Sequence, residues 1–271
     1  MKQSTKKSMS LNTRNTLTGI GFILPNFVGF FCFVLIPIIF SFVLAFTKWD
    51  GFTEMTFAGL NNFVKIFSSK VFLNSLCITA TYTVFTVALT TVASLGLALL
   101  LNQKLKGRNF FRSAIFFPYV ASVVAVGVVW NNMFQPDYGP INQFLRAIGI
   151  VDPPAWFAST TWALPAIIIV SVWKGMGYYM IIYLAGLQGI SPSLYEAARI
   201  DGASSWHMFR RITVPMLTSS TFFVVMMLTI NSFKTFDLIF TLTEGGPGTA
   251  TTVLAKYISK ALQKRCQHGY N

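Results

Sequence analysis

Several polar and ionisable side chains fall inside long apolar stretches of this chain, and their types suit the recognition of a polar solute. Lys174 is followed four and five residues later by Tyr178 and Tyr179. On a helix, Tyr178 shares the face of Lys174 and Tyr179 borders it. Aromatic rings with polar tips suit sugars, which present apolar faces and hydroxyl groups. The alternative is that these residues only pack one membrane span against another.

A second polar group recurs every three residues, at Asn231, Lys234 and Asp237. This spacing forms a slowly drifting stripe on one helix face. Asn231 is the deeper candidate for solute contact. Lys234 and Asp237 have two open interpretations, a solute contact or a local ion pair that reaches towards the membrane surface.

The residue types that covalent chemistry needs do not accompany these groups. The glycine-rich stretch at 245–248 lacks the Lys-Ser/Thr pair of a phosphate-binding loop. The sequence also contains no nucleophile–base pair, and its two histidines have no nearby ligand partners that would predict a metal site. We therefore predict a protein that passes a solute and is not itself an enzyme.

The composition indicates a polytopic membrane protein. Hydrophobic residues make up 54% of the 271 residues, charged residues make up 11%, and the mean hydropathy is +0.59. Soluble domains contain about 25% charged residues. The net charge of +13 could suggest a nucleic-acid partner, but the basic residues cluster between apolar runs, as in membrane proteins. No nucleic-acid binding is predicted.

Five stretches are long and apolar enough to cross a membrane. The predicted spans are 17–46, 77–101, 113–134, 162–187 and 215–242. Lys174 then lies about 18 Å along the fourth span, near the middle of a hydrocarbon core about 30 Å thick. An ionisable residue at this depth is expected to face a wet cavity or an acidic partner.

The basic residues of the connecting segments predict the orientation. Eleven lie in the N-terminal segment 1–16, in the loop after the second span and in the loop after the fourth, whereas the two intervening loops hold four: Lys48, Lys65, Lys70 and Arg146. Positive charge is enriched on the cytoplasmic side. The N-terminus and the segment 190–214 are therefore predicted to be cytoplasmic.

The segment 190–214 has the signals of two short helices joined at a glycine. Ser191-Pro192 suits a helix start, and Ser193 with Glu196 fits a capping box. The first helix is predicted to end near Ile200, with Gly202 adopting a positive φ. Ser204 or Ser205 then begins the second helix.

Three interpretations of this segment are available. A DNA-binding helix-turn-helix is disfavoured because membrane spans tether both ends and few basic residues are present. A hairpin lying at the membrane surface is the simplest interpretation. A docking surface for a cytoplasmic partner is the third, because Ala197 and Ala198 would allow close approach and Glu196 offers a charge.

The stretch "EAARIDGASSWHMFRRITVP", from Glu196 to Pro215, resembles the EAA loop of the permeases of binding-protein-dependent ABC importers. That family pattern is Glu-Ala-Ala, three residues, Gly, nine residues, Ile, one residue, Leu-Pro. The departure here is Val214 in place of Leu. Further segments resemble the carbohydrate branch: "FAGLNNFVKIF", "KGRNFFRSAIFFPYV", "PDYGPINQFL", "VWKGMGYYMIIYLAGLQGI" and "FKTFDLIFTLTEGGPGTATTVLAKYI".

The resemblance implies an all-α type I ABC importer transmembrane fold, with a core over 72–262, in the plasma membrane of a bacterial cell. It implies a second permease subunit that makes a heterodimer, two ATPase subunits, and an extracellular solute-binding protein that delivers sugars, oligosaccharides or glycerol phosphates. The partner ATPase would use ATP and Mg²⁺, and this chain would bind no cofactor. The resemblance assigns ATPase coupling to Glu196, Ala197, Ala198, Asp201, Gly202 and Pro215.

The family pattern normally continues into a sixth, C-terminal span. The sequence here is expected to be a truncated permease with a tail at 263–271, and is not expected to support transport in this form. A secondary transporter that is not driven by ATP is the alternative function. A neighbouring gene for a secreted solute-binding protein would discriminate between the two.

Overall fold

The structure is a computed structural model that describes residues 11–49, 54–103 and 105–260. The predicted tail at 263–271 and most of the predicted N-terminal segment 1–16 lie outside the described residues. The chain divides into two compact units, Met1–Ser69 and Lys70–Asn271. Each unit is built almost entirely from helices, as the sequence predicts.

The first unit contains the first predicted span, observed as a helical stretch over Asn15–Ala45. It comprises α1 (Leu11–Phe30), a π-helical turn (Phe31–Leu35) and α2 (Ile36–Ala45). The π turn immediately precedes Pro37, which has no N–H to donate to an α-helical hydrogen bond.

A short hairpin and a helix follow in the same unit. Strands β1 (Thr47–Lys48) and β2 (Thr56–Phe57) pair antiparallel, and α3 covers Asn61–Phe67. Asn62 in α3 donates from Nδ2 to the carbonyls of Ala45 and Thr47, at 3.0 and 2.9 Å. This amide therefore caps the end of α2 and holds the hairpin beside it.

The second unit is a helical bundle around two long helices. These are α4 (Lys70–Leu101) and α8 (Ala163–Gln188), which match the second and fourth predicted spans. The remaining helices are α5 (Arg108–Val120), α6 (Val123–Met133), α7 (Pro140–Ala147), α9 (Pro192–Ile200), α10 (Ser205–Met208), α11 (Val214–Met216), α12 (Thr218–Lys234) and α13 (Asp237–Thr243).

Small residues allow the central helices to approach closely. The buried hydroxyl residues of α4 recur every three or four positions on one face: Ser75, Thr79, Thr83, Thr86, Thr90 and Ser94. Ser94 donates to the carbonyl of Met176 in α8 at 3.0 Å. A Cβ added to Gly177 would overlap the backbone of Ile115 in α5, so α8 needs glycine at this contact.

The third and fifth predicted spans are each interrupted by a break. The third is broken between α5 and α6, which meet at an angle of 98°. The fifth is broken at Leu217, where the helical stretch Ser205–Met216 meets α12 at 65°, and again between α12 and α13. Proline at 118 and at 215 explains the nearby breaks, because proline removes a helix hydrogen bond and restricts the preceding residue.

Three helical stretches in the described part of the chain are long and apolar enough to cross a membrane. The number rises to five if each bent pair is one crossing. Two hydrophobic clusters hold the second unit together. One lies around Trp156, Ile167 and Ile239, and the other around Tyr183, Leu184 and Leu217.

Candidate functional site

Lys174 of α8 lies beside the break between α5 and α6. Its ammonium nitrogen donates to three backbone carbonyls, those of Pro118, Tyr119 and Ala121, each at 3.0 Å. The last carbonyls of a helix have no partner within the helix, and water cannot satisfy them inside a bilayer. A cation at a helix C-terminus is also favoured by the helix dipole. Lys174 therefore caps α5 and uses all three of its donors to do so.

Three tyrosines and an asparagine surround this cap. The rings of Tyr119 and Tyr178 stack with their centroids 4.5 Å apart and their planes 11° apart. Tyr179 meets Tyr178 edge to face at 5.1 Å, and its hydroxyl accepts a hydrogen bond from Nδ2 of Asn231 at 3.2 Å. Helices α5, α8 and α12 thus contribute to one aromatic and amide cluster, which we call the tyrosine cluster (Tyr119, Tyr178, Tyr179, Asn231).

The tyrosine cluster offers the groups that a sugar needs. Tyr178 is half-buried and Tyr119 is exposed, so part of each side chain remains accessible. The side chain of Asn231 is also exposed. An aromatic face can cover the apolar face of a sugar, while hydroxyl and amide groups bond its hydroxyls.

The structure separates the other two members of the predicted stripe. Lys234 is the last residue of α12 and Asp237 is the first of α13. Both side chains are exposed, and no ion pair joins them in the part of the chain that the structure describes. The local ion pair considered for these residues is therefore absent from this structure, and solute contact stays a prediction.

The segment 190–214, which we call the module, folds as two helices joined at Gly202, as predicted. Helix α9 starts after Ser191 with proline at its first turn. Ser191 and not Ser193 is the N-cap, and no side chain caps this helix, so the predicted capping box of Ser193 and Glu196 does not form. Ser191 and Ser193 instead bond each other through their hydroxyls at 2.7 Å.

The end of α9 is closed by its own backbone. Gly202 has φ of +75°, its N–H donates to Arg199, and the N–H of Ala203 donates to Ala198. This pair of bonds is the Schellman motif, which requires a left-handed residue at the position of Gly202. The Ser204 hydroxyl then accepts from the N–H of His207 at 3.3 Å, so Ser204, one of the two predicted candidates, caps the second helix.

The outer surface of the module is open. Glu196 and Ala197 are exposed, and Glu196 forms no hydrogen bond or ion pair with any other residue that the structure describes. Ile200 is 86% exposed and Leu194 is 41% exposed. A small residue, a free carboxylate and exposed aliphatic side chains on one short helix form a surface that suits a protein partner.

The inner side of the module is attached to the bundle. The hydroxyls of Tyr195 and Thr213 bond at 2.9 Å across the two helices. Tyr195 packs against the cluster around Tyr183, and Met208 and Thr213 are buried. A side-chain hydrogen bond therefore joins α9 to Thr213, the last residue of the π-helical turn before α11.

The structure brings together Lys174, Tyr178, Tyr179 and Asn231. The predicted coupling residues from Glu196 to Gly202 belong instead to the module, on α9 and the turn that follows it. Sequence reasoning missed Tyr119 and the carbonyls that Lys174 bonds. One signal was available, since Pro118 inside an apolar run indicates a break and therefore unpaired carbonyls. The sequence does not indicate which side chain would donate to these carbonyls.

The chain is similar to known membrane transport proteins. Residues 91–263 match the family model described as binding-protein-dependent transport system inner membrane component. The probable ABC transporter permease protein YesP of Bacillus subtilis is 38% identical over 98% of this chain and 86% of its own. The lactose transport system permease protein LacF of Rhizobium radiobacter is 38% identical, over 94% of this chain and 86% of its own.

A solved structure shows the same fold. It is the bacterial alginate ABC transporter in complex with a periplasmic protein that holds an alginate pentasaccharide. It matches with a TM-score of 0.79 and 25% identity, over 94% of this chain and 86% of the matched chain. Both bent helix pairs therefore lie within a chain whose fold is that of an ABC importer subunit.

Proposed function

The chain belongs to the family of binding-protein-dependent transport system inner membrane components, and from this premise we propose that it is the permease subunit of an ATP-driven importer for a sugar-type solute. Family membership favours this function over the alternative of a secondary transporter. The observation that carries the proposal is the exposed helix–Gly202–helix module, closed by a Schellman motif and joined to the bundle at Thr213.

The module is proposed to dock on an ATPase subunit in the cytoplasm. Helix α9 would enter a cleft of that subunit, with Ala197 and Ala198 allowing close approach and Glu196 available for a charge pair. Asp201 and Gly202 form the turn that presents the helix, and Pro215 lies where the chain bends into α12. Closure of the ATPases would then reach the spans through Tyr195 and Thr213.

The other subunits follow from the same proposal. A second permease subunit, two ATPase subunits and an extracellular solute-binding protein would complete the importer. ATP and Mg²⁺ would be bound by the ATPases, so this chain needs no cofactor. The excess of Lys and Arg in the segments that include the module supports a cytoplasmic N-terminus.

A sugar-type solute is supported by two lines of argument. Relatives carry lactose and trehalose/maltose transport in their names, and a fold relative imports alginate. The tyrosine cluster supplies aromatic and amide groups that suit a sugar. Tyr178, Tyr179 and Asn231 are proposed to contact solute, with Lys234 and Asp237 further along the path. Lys174 is proposed to act on the path indirectly, because its donors are bonded to carbonyls.

The docking proposal is tested by crosslinking in the assembled importer. An Ala197→Cys variant provides an exposed attachment point on α9, and crosslinking to the ATPase subunit is measured with and without Glu196→Gln or Gly202→Ala. We expect both substitutions to reduce the crosslinked fraction, Gly202→Ala more strongly because alanine rarely adopts the φ of +75°.

Gly149→Ala is the matched control. Gly149 also has a positive φ, of +96°, and an added Cβ would meet nothing within 4 Å, but it lies in the loop after α7. It carries the same kind of backbone strain away from the module, so crosslinking should be unchanged. Normal association in both the Glu196 and the Gly202 variants would defeat the docking assignment.

A further inference from the structure

The second helix of the module carries a basic cleft that the docking role does not use. Trp206, His207, Arg210 and Arg211 line a cavity of about 350 Å³. Trp206 and Arg210 are four residues apart, as are His207 and Arg211, so two neighbouring rows of one helix face form the cleft. Both arginines lie in a π-helical turn over Phe209–Thr213.

The two guanidinium groups of the cleft are free to bind an anion. Both arginines are exposed, and neither forms an ion pair or donates a side-chain hydrogen bond within the described residues of the chain. The cleft contains no carboxylate. Two adjacent, unpaired guanidinium forks match the geometry of a phosphate group, which they can bind bidentately.

The cleft lies at the depth of lipid headgroups if α12 crosses the membrane. The 17 residues of α12 span about 25 Å, close to the hydrocarbon thickness of about 30 Å. Arg211 precedes Thr218 by about 10 Å of helix. Because of the 65° bend, the distance from Arg211 to Thr218 is only about 4 Å when measured along the axis of α12. The distance from Trp206 to Thr218 along the same axis is about 8 Å. Each headgroup layer is about 5–7 Å thick.

Trp206 supports the same depth. Its side chain is 68% exposed, and its ring lies 5.5 Å from that of Phe209. Tryptophan is enriched where a membrane meets water, because its ring is apolar and its N–H is polar. An exposed tryptophan beside two unpaired arginines combines a contact for the glycerol and acyl region with a contact for phosphate.

We propose that the cleft binds the phosphate of an anionic phospholipid in the cytoplasmic leaflet. The proposal rests on the cytoplasmic orientation given under the proposed function. The two arginines bond the phosphate oxygens, and the Trp206 ring packs against the lipid backbone. The bound headgroup would hold the second helix of the module at the membrane surface, next to the bend at Leu217.

The test uses the full chain in vesicles of phosphatidylcholine with spin-labelled phosphatidylglycerol or spin-labelled phosphatidylcholine. The ratio of the two affinities is measured for the wild type, Arg210→Gln, Arg211→Gln and the double variant. Two basic residues near an anionic surface contribute a factor of about 30 to lipid affinity. We expect the double variant to lose most of that preference, and Arg210→Lys/Arg211→Lys to retain part of it.

Arg199→Gln is the matched control, because Arg199 is an exposed arginine of the same module outside the cleft. An equal loss of preference in this control would assign the effect to general surface charge and overturn the proposal. Full competition by inorganic phosphate, without preference for phosphatidylglycerol, would identify a free anion as the ligand and also overturn it.

The same variants separate this proposal from the docking role. If the double variant loses crosslinking from Ala197→Cys to the ATPase in vesicles of either lipid composition, the cleft belongs to the protein interface and the lipid proposal fails. If docking at Glu196 and Gly202 fails while the lipid preference still depends on the two arginines, only the docking role is overturned. Lipid binding is measured without the ATPase, so the two results are independent.

Discussion

The carbonyls at the C-terminal ends of α5 and α9 receive their hydrogen bonds from different kinds of donor. The carbonyls at the end of α5 are bonded by Lys174, which lies 53 to 56 residues away on another helix. The end of α9 is closed by bonds from Gly202 and Ala203, the two residues that follow its cap. The first end therefore depends on tertiary packing and the second is local.

The two helix ends also differ in which nearby side chains are left available for binding. Lys174 has no donor left for a solute or a partner, so its charge belongs to the scaffold. Glu196 has no partner among the described residues, and neither has Arg210 or Arg211. A helix that closes itself through its backbone keeps its side chains available for binding. A helix that needs a distant cation commits that cation to structure.

The largest effect is expected at the tertiary cap. Lys174→Met would remove the donor from the carbonyls of Pro118, Tyr119 and Ala121 at the end of α5. Hydrogen bonds to charged groups contribute about 1.5–3 kcal/mol each, so we expect several kcal/mol of destabilisation, seen as a lower midpoint of thermal unfolding in detergent. Lys174→Arg, which keeps charge and donors, should lose less. An unchanged midpoint for Lys174→Met would remove the contrast between the two helix ends.

A buried amide sharpens the comparison without a charge. Asn142 is fully buried, donates to the carbonyls of Pro136 and Pro154, and accepts from Nε1 of Trp156. Asn142→Leu would leave the Pro154 carbonyl and the Trp156 N–H without this partner, whereas the Pro136 carbonyl keeps its bond from Arg146. We expect about 2–4 kcal/mol of destabilisation in the same measurement. Asn132→Leu is the control, because the Asn132 side chain is exposed and donates to the carbonyl of Val128 in its own helix. Equal losses in both variants would contradict a special role for the buried amide.

The smallest effect on stability is expected at the local cap. Gly202→Ala meets no atom within 4 Å, so its cost comes only from the positive φ, about 1–2 kcal/mol. The unfolding midpoint should fall less than for Lys174→Met, while crosslinking to the ATPase falls more. A stability loss as large as that of Lys174→Met would mean that the module is part of the folding core.

The tyrosine cluster shows how far sequence reasoning reached at the candidate solute site. Tyr178 and Tyr179 follow Lys174 at helical spacing, so their common location was readable, and Asn231 was chosen for its depth. The bond from Asn231 to Tyr179 joins residues 52 positions apart. Tyr119 was missed, because its ring stacks on Tyr178 of another helix and no local pattern pairs the two residues.

The sequence alone determined the long apolar helices, the boundaries of α9, the left-handed Gly202 and a serine cap at 204 or 205. These features depend on interactions among residues only a few positions apart, and local residue types specify such interactions. Only the tertiary structure decided the angle between α5 and α6, the three bonds of Lys174 and the membership of the tyrosine cluster. Their partners lie about 50 residues apart, and a local pattern cannot indicate which helix will meet a free carbonyl.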